Sequence, residues 1–198
     1  PAAKHLVDNE KIKITKVLDS SKNTPLKQAR RLAWLNYGAE VVASIDLLVD
    51  SSIDGVIICA GKNNSDAGLI KSIVKYIKQR SSSAFILHFS TVSQRFVNRA
   101  NIFCNQQGVE YVNWPLTGGP SGAKSASMLV LASGNQLLYQ KTLPLLQSIG
   151  RPRYFDDKIA TAVVVKLVSH SLVFASLLGY ASAIQLYSGF SGCNTNDL

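Results

Sequence analysis

Residues 55–60, GVIICA, form an unbroken apolar run that is rich in β-branched side chains. A strand has this pattern when both faces of its sheet are covered, whereas a strand with one solvated face alternates apolar and polar residues. A second strand is predicted in SAFILHFS, residues 83–90, and a helix over 67–79 connects the two. Covered strands linked by a helix predict parallel βαβ units, so we expect an α/β fold.

The same alternation of strand and helix continues on both sides of these segments. Thr24 and Pro25 open a helix, because threonine is a favoured cap and proline is tolerated in the first turn. We predict the tail of a helix at 1–10, strands at 12–18, 40–43, 109–112 and 128–132, and helices at 25–37, 45–49, 93–107 and 136–148. Short polar links join these elements, which indicates a doubly wound, mostly parallel sheet.

Polar turns follow four of the predicted strands. They lie at 19–21, 60–64, 90–93 and 116–122. In an open parallel sheet the carboxyl ends of the strands meet at one edge, and ligands bind in the crevice outside that edge. The sequence therefore predicts a ligand site to which these turns contribute.

The net charge does not by itself identify a nucleic-acid partner. The chain carries a formal net charge of +9, from 21 basic and 12 acidic side chains. The basic residues are scattered, and no aromatic side chains are interleaved with them as base-stacking platforms would require. We therefore expect no nucleic-acid partner, and an anionic small molecule fits the charge equally well.

Cysteine usage and the first residues favour a reduced, cytoplasmic protein. Cys59, Cys104 and Cys193 are far apart and show no metal-ligand spacing, so we predict free thiols and no bound metal. Residues 1–11 carry charge throughout and lack a continuous apolar core, so we expect no signal peptide.

Residues 159–187 form a long apolar segment with one formal charge, that of Lys166. The segment is long enough to span a membrane, but a helix that is apolar on all sides can equally be buried inside a large protein. No cationic flank or aromatic belt frames it clearly, so we favour a buried helix between two domains, with no membrane contact. Lys166 and His170 are four residues apart and share one helix face.

Four motifs together resemble the β-hydroxyacid dehydrogenases, the superfamily of 3-hydroxyisobutyrate and 6-phosphogluconate dehydrogenases. PLTGGPSGA at 115–123 is similar to the substrate-binding signature D-A-P-V-S-G-G, and FST at 89–91 resembles the S-T turn after the fifth strand. KLVSH at 166–170 resembles the K-x-x-x-N helix, and YGAEVVAS at 37–44 resembles E-G-A-x-x-x-x-S. The motifs occur in the family's order over nearly the whole chain. The resemblance implies a Rossmann-like fold, and an enzyme that transfers hydride between NAD and a small β-hydroxyacid.

The resemblance also implies roles for particular residues. Lys166 would be the catalytic proton carrier, and the substrate carboxylate would be bound by Thr117, Gly118 and Gly119, with His170 nearby. The implied cofactor-binding residues follow the strand ends: Asp19, Ser20, Cys59, Ala60, Gly61, Ser90 and Thr91. The residues themselves leave other interpretations open. Lys166 could extend to water, and the glycines could simply form a turn.

Asp19 bears on the choice between the two nicotinamide cofactors. An acid at the end of the second strand of such a fold accepts hydrogen bonds from the ribose 2′-hydroxyl and repels a 2′-phosphate. Relatives that prefer NADP usually place an arginine next, where this chain has Ser20. We therefore predict NAD rather than NADP. The alternative is that Asp19 only caps a turn.

Several positions depart from the family pattern. Asn113 and Trp114 replace the aspartate and alanine of D-A-P, and His170 replaces the asparagine after the lysine. Ala160 and Ala162 replace two glycines before the lysine, and their methyl groups could crowd a ligand. These departures favour unusual substrate scope, or a second hypothesis: a non-catalytic relative that binds a ligand or a partner.

The resemblance predicts a division into two domains. Residues 1–157 would form a dinucleotide-binding domain without its first strand and G-x-G-x-M-G loop, because the family's P-M-A corresponds to PAA at residues 1–3. Residues 158–198 would form a long helix and the start of an all-α domain. In the family that domain carries further substrate contacts and the dimer interface, so we expect a homodimer and a chain cut at both ends.

Overall fold

The structure, a computed structural model, describes residues 2–19, 24–60 and 63–189. Helices and strands alternate along most of the chain, as predicted. The helices are α1 Ala2–Val7, α2 Pro25–Asn36, α3 Ile45–Leu48, α4 Asn63–Gln79, α5 Gln94–Gln106, α6 Gly119–Lys124, α7 Gln136–Ile149 and α8 Thr161–Ser188. The strands are β1 Lys16–Leu18, β2 Glu40–Val42, β3 Gly55–Ile58, β4 Phe85–His88, β5 Tyr111–Asn113, β6 Leu116–Thr117, β7 Met128–Ala132 and β8 Gly150–Tyr154.

The strands pair in three hydrogen-bonded groups. In order they are β1–β2, β3–β4–β5 and β6–β7–β8. All pairs are parallel except β6 with β7, which is antiparallel. The mostly parallel α/β architecture is therefore confirmed.

Helices cover both faces of the central group, β3–β4–β5. On one face Val56, Ile86 and Tyr111 belong to a core cluster with residues of α4 and α5. On the other face Leu87 and Val112 pack in a second cluster with residues of α1, α7 and β7. Two covered faces explain why the strand sequences are continuously apolar rather than alternating.

Local sequence explains where two of the helices begin. The Thr24 hydroxyl accepts a hydrogen bond from the Lys27 N–H at the start of α2, and Pro25 follows it. Ser93 caps α5 in the same way, by accepting from the Phe96 N–H. Each cap satisfies one of the N–H groups that have no partner inside the helix, which fixes the first residue of the helix.

The predicted strand at 12–18 is shorter in the structure. Only Lys16–Leu18 is paired, with Glu40–Val42 of β2. Ile12 and Ile14 instead lie partly buried against the second core cluster. The apolar alternation of this segment therefore reflects packing of side chains as much as sheet formation.

Three elements were not predicted. β6 and α6 lie inside the glycine-rich segment that we expected to be a loop, and β8 has the sequence GRPRY. The two-residue β6 pairs with β7, and β8 pairs with β7 along its whole length. Both strands therefore depend on a neighbour in space, and neither has a strand pattern of its own.

Helix α8 has the predicted place and length, but its burial differs from the prediction. Ala162, Val163 and Lys166 are buried, whereas the large side chains beyond them are exposed, Leu178 by 70% and Phe174 by 65%. The expectation of a buried helix thus holds only for its first two turns, because no described element lies against the rest. By length and composition α8 could cross a membrane, but a single helix of this kind is weak evidence for a membrane span.

Each of the serines of α8 donates a hydrogen bond to a carbonyl one turn earlier in the same helix. Ser171, Ser176 and Ser182 bond to the carbonyls of Leu167, Leu172 and Leu178, and Ser169 and Ser188 bond three residues back. The hydrogen of each of these hydroxyl groups therefore has an acceptor within the helix itself.

Candidate functional site

The carboxyl ends of the central strands lie side by side. Ile58 is in register with His88, and His88 with Asn113. The residues that follow these three, beginning at Cys59, Phe89 and Trp114, therefore leave the sheet along one edge. This is the arrangement that the polar turns predicted, and it is where open parallel sheets bind ligands.

Four of the predicted cofactor-binding residues lie at this edge. Cys59 and Ala60 follow β3 and are exposed. Ser90 follows β4 and is buried, and Thr91 beside it is exposed. Gly61, which was also predicted here, lies outside the described residues.

Asp19 directly follows β1, at the end of the two-stranded group. Its carboxylate is partly buried and accepts a hydrogen bond from the Arg30 Nε of α2, at 3.1 Å. The predicted acid is therefore held by a cation from the neighbouring helix. Ser20, the next residue, lies outside the described residues.

The glycine-rich segment turns sharply between β6 and α6. Thr117 ends β6 and is partly buried, whereas Gly118 and Gly119 are exposed. Gly118 has φ 128° and Gly119 has φ 60°, a region of backbone conformation that residues with a side chain rarely adopt. A Cβ on Gly118 would also lie 3.3 Å from the Cα of Met128. The glycines are thus required by the turn, and the turn leaves their backbone accessible.

Replacing Gly118 by alanine should destabilise the protein by about 1–3 kcal/mol, because alanine would be strained at this φ and crowded by Met128. The free energy of unfolding in urea measures this effect. The matched control is Gly68→Ala, in the middle of α4, where nothing lies within 4 Å of the added methyl. The control should stabilise by up to about 1 kcal/mol. Equal effects of the two substitutions would mean that the turn does not need its positive φ.

Lys166 is buried in the second turn of α8, with 3% of its surface exposed. Its ammonium group makes no hydrogen bond or ion pair with any residue of the described part of the chain. Burial lowers the pKa of Lys166. A lowered pKa increases the fraction of the lysine that is uncharged at a given pH, and the uncharged amine can accept a proton.

His170, predicted to bind the substrate, lies one turn beyond Lys166. It is partly exposed, and its ring packs edge-on against that of Phe174, with the ring centres 6.2 Å apart. The two residues share a helix face, as expected, but only Lys166 is inside the protein.

A buried polar network lies beneath the strand ends, and the sequence analysis did not find it. His88 Nε2 lies 3.0 Å from Asp66 Oδ2, and His88 Nδ1 lies 2.9 Å from Tyr111 Oη. Burial lowers the pKa of His88, although Asp66 opposes this, and burial raises the pKa of Tyr111. The neutral ring thus donates its Nε2–H to Asp66 and accepts the Tyr111 O–H at Nδ1.

Asn113 connects this network to the turn after β4. Its amide nitrogen donates to the carbonyls of His88 and Ser90, at 2.9 and 3.0 Å. Asn113 Oδ1 is buried and has no hydrogen-bond partner within the described ranges. Asn113, which replaces the aspartate of the family pattern, therefore holds the predicted S-T turn through its amide nitrogen. Its side-chain oxygen remains an acceptor without a donor among the described residues.

Trp114, a second departure, links the glycine-rich segment to α8. Its indole Nε1–H donates to the carbonyl of Ser133, at 2.8 Å. The Ser133 hydroxyl in turn accepts the backbone N–H of Ala162, at 2.9 Å. Ala160 lies in the first core cluster and Ala162 is fully buried, so both of the unexpected alanines pack inside the protein.

One sequence signal could have indicated the missed residues. His88 interrupts an otherwise apolar strand, and a histidine that is buried there requires polar partners. The partners themselves, Asp66 and Tyr111, are 22 and 23 residues away along the chain, so only the fold identifies them. Within the described ranges, no cluster of three or more histidine, cysteine or acidic side chains could hold a metal ion.

Comparison with known proteins agrees with this geometry. The family model for the NAD binding domain of 6-phosphogluconate dehydrogenase matches residues 7–165. Because that match covers most of the chain, the protein belongs to this family.

Its relatives are dehydrogenases and reductases. The 2-(hydroxymethyl)glutarate dehydrogenase of Eubacterium barkeri is 22% identical over 61% of this chain and 42% of its own length. The NAD-dependent L-serine dehydrogenase of Pseudomonas aeruginosa is 22% identical over 75% of this chain and 45% of its own length. The chain therefore spans about half the length of the curated relatives it matches.

Solved structures show the same fold. The 3-hydroxyisobutyrate dehydrogenase of Mycobacterium tuberculosis, solved with L-serine, superposes with a TM-score of 0.79 over 97% of this chain and 62% of its own, at 16% identity. An imine reductase from Myxococcus stipitatus, in complex with NAD+, gives a TM-score of 0.80 over 99% of this chain and 65% of its own, at 15% identity. These likenesses confirm the Rossmann-like fold.

Proposed function

We propose that the protein is an NAD(P)-dependent oxidoreductase that transfers hydride between nicotinamide and a small β-hydroxyacid. The observation that carries the proposal is Lys166, a buried lysine without a partner in the described residues, at the position of the family's catalytic lysine. The names of the relatives support the reaction class, since they include dehydrogenases of a hydroxymethyl dicarboxylate and of serine.

The residues at the strand ends suit a dinucleotide. Cys59 and Ala60 after β3 have small, exposed side chains, and Asp19 offers carboxylate oxygens at the end of β1. The buried Asn113 Oδ1 still lacks a donor within the described residues. We infer that Asp19, Cys59, Ala60, Ser90 and Thr91 hold the cofactor, which supplies the hydride acceptor or donor.

Lys166 handles the proton in this proposal. When a hydroxyacid is oxidised, its hydroxyl group loses a proton as the hydride leaves the carbon. The uncharged amine accepts that proton, and in reduction the ammonium returns it to the carbonyl oxygen. Burial favours the uncharged form, so the fold prepares the lysine for the oxidative direction.

The glycine-rich turn binds the substrate carboxylate. Gly118 and Gly119 are exposed and carry no side chains, so their N–H groups can approach an anion closely. The Thr117 hydroxyl adds a further donor. His170, on the face of α8 that carries Lys166, would contact the substrate beside the lysine.

NAD should be used in preference to NADP. The Asp19 carboxylate favours a free ribose 2′-hydroxyl, and its negative charge opposes a 2′-phosphate, although Arg30 offsets part of that charge. We expect a higher kcat/KM with NAD, measured with both cofactors under identical conditions. Asp19→Ala should reduce the ratio of kcat/KM with NAD to kcat/KM with NADP. A higher kcat/KM with NADP in the unaltered protein would contradict this prediction.

Further properties follow as proposals from the same family membership. We propose a cytoplasmic homodimer that acts on a small carboxylate, without nucleic-acid or membrane partners. The exposed apolar length of α8 supports a further helical domain that covers it. We also propose the division of the chain near residue 157, where β8 and the turn after it lead into α8.

Nicotinamide absorbance in the full-length protein tests the proposed function. Reduction of NAD that depends on an added β-hydroxyacid is the expected result. A second candidate, a non-catalytic binding protein, is favoured by Ala160, Ala162 and His170, which differ from the family's catalytic segment. Cofactor binding by calorimetry without turnover of any hydroxyacid would support that candidate, and failure of the full-length protein to bind either cofactor would contradict the proposed oxidoreductase.

A further inference from the structure

The turn after β7, Ser133–Gly134, connects two parts of the proposed site. Ser133 is fully buried. Its carbonyl accepts from Trp114, three residues before Thr117, and its hydroxyl accepts from Ala162, four residues before Lys166. One residue therefore contacts both the start of the substrate-binding segment and the helix that carries the catalytic lysine.

Helix α8 depends on Ser133 at its first turn. The residue at the helix cap is Ala160, whose side chain cannot accept a hydrogen bond. The Ala162 N–H belongs to the first turn, where backbone donors have no partner inside the helix. Since Ser133 is inaccessible to water, loss of its hydroxyl would leave that donor unsatisfied.

The bond to Ser133 lies one helical turn before Lys166. The backbone N–H of Ala162 donates to Ser133 four residues ahead of the lysine, so this bond holds the start of the helix close to the turn that carries Lys166. Beyond Lys166 the helix has little support, because Leu167 is 37% exposed and Val168 is 56% exposed. The described part of the chain gives the lysine ammonium no hydrogen bond or ion pair, so its position follows from the placement of the helix and from packing around the side chain.

The turn is itself firmly held. The Gly134 N–H donates to the carbonyl of Asp156 at 2.9 Å, and the Tyr154 hydroxyl donates to the carbonyl of Gly134 at 2.7 Å. Gly134 has φ 95°, and a Cβ there would lie 2.9 Å from Ile159 Cδ1. Ser133 is thus a fixed point between β7 and α8, which is what positioning of a reacting group requires.

We propose that Ser133 is a positioning residue, which sets the place of Lys166 relative to the substrate-binding turn by joining Trp114 to Ala162. The proposal rests on the proposed function for its effect on turnover. The position of Lys166 itself can be measured without turnover. An error of about 1 Å in such a position can cost up to about 100-fold in rate.

The test compares Ser133→Ala with Ser133→Thr, which keeps the hydroxyl group, in the full-length protein. We expect Ser133→Ala to lower kcat by about tenfold with little change in KM, because only the geometry of the reacting groups is disturbed. Ser133→Thr should restore most of kcat. The control is Thr142→Val, which removes a buried hydroxyl that bonds only within α7 and should leave kcat unchanged.

A second measurement does not depend on activity. NMR of protein with 13C-labelled lysine follows the pH titration of the Lys166 ε-carbon, and Lys166→Met assigns its signal. In Ser133→Ala this titration should move toward that of an ordinary lysine. It should stay unchanged in Thr142→Val. If Ser133→Ala does not fold, Trp114→Phe, which removes the indole donor, should give smaller changes in the same direction.

The possible outcomes separate the two proposals. Turnover that requires Lys166 but is equal in the unaltered protein and Ser133→Ala would overturn the positioning role and leave the proposed function intact. A displaced titration in Ser133→Ala, together with no turnover in any form, would support positioning and overturn the function. A loss of thermal stability alone, like that of Thr142→Val, would mean that Ser133 is merely structural.

Discussion

Lys166→Met is expected to lower turnover strongly and at the same time to stabilise the fold. Methionine has a similar length and no charge, so it can fill the space of the lysine side chain. Loss of the proton carrier should lower kcat by about 100- to 10,000-fold. Removal of a buried ammonium that has no partner in the described residues should raise the free energy of unfolding at neutral pH.

The pH dependence of stability gives a second readout for Lys166. Burial lowers the pKa of Lys166 in the folded state, so the unfolded chain binds more protons between that pKa and the ordinary lysine value of about 10.4. The stability of the unaltered protein should therefore rise, through this group, as pH increases across that window. Lys166→Met should lack this rise.

Urea unfolding at several pH values, together with steady-state kinetics, measures both effects of Lys166→Met. The matched control is Lys158→Met, at an exposed lysine just before α8, which should change neither kcat nor stability appreciably. Substantial turnover in Lys166→Met would show that another group handles the proton. A loss of stability in Lys166→Met would show that the ammonium has a stabilising partner in the intact protein.

Asp66→Ala is expected to cost about 3 kcal/mol of stability. The substitution removes the acceptor of the His88 Nε2–H, and both residues are fully buried, so water cannot replace it. Asp66→Asn keeps an oxygen acceptor and should cost markedly less. Asp54→Ala, at an exposed aspartate, should have little effect.

Acidification should weaken the fold through His88. Burial lowers the pKa of His88 below its ordinary value of about 6.5, so the unfolded chain takes up a proton first as pH falls. The contribution of His88 to stability is complete above pH ~6.5 and is lost as pH falls from there toward the folded-state pKa. His88→Gln should remove this loss of stability at acid pH.

Two outcomes would contradict the predicted role of the Asp66–His88–Tyr111 network. One is a free energy of unfolding that does not change with pH below neutrality, and the other is an Asp66→Ala variant as stable as Asp54→Ala.

The sequence predicted the parts of the molecule that local patterns specify. The apolar runs of β3 and β4 indicate strands covered on both faces, and Thr24 and Pro25 mark the start of α2. The edge at which Cys59 and Ser90 lie follows from parallel pairing alone. The apolar runs and the helix start need no information beyond residues that are neighbours in the chain, and the edge needs only the parallel pairing that alternating strands and helices predict.

What the sequence did not predict depends on contacts between distant residues. GRPRY becomes β8 only because β7 pairs with it, and two residues of the glycine-rich segment become β6 for the same reason. The Asp66–His88–Tyr111 network and the Trp114–Ser133–Ala162 connection also join segments that are separate in the chain. For α8, an apolar sequence predicted a helix but could not specify which surface, if any, covers it.

The serines of α8 affect what it costs to cover the helix. Each of their hydroxyl groups already donates its hydrogen to a carbonyl of the same helix, so an apolar surface placed against them would leave no hydroxyl hydrogen without an acceptor. The oxygen lone pairs would still lose any water that they bind, so the saving applies to the five donors alone. A surface that covers α8 therefore does not have to supply a hydrogen-bond acceptor for each serine.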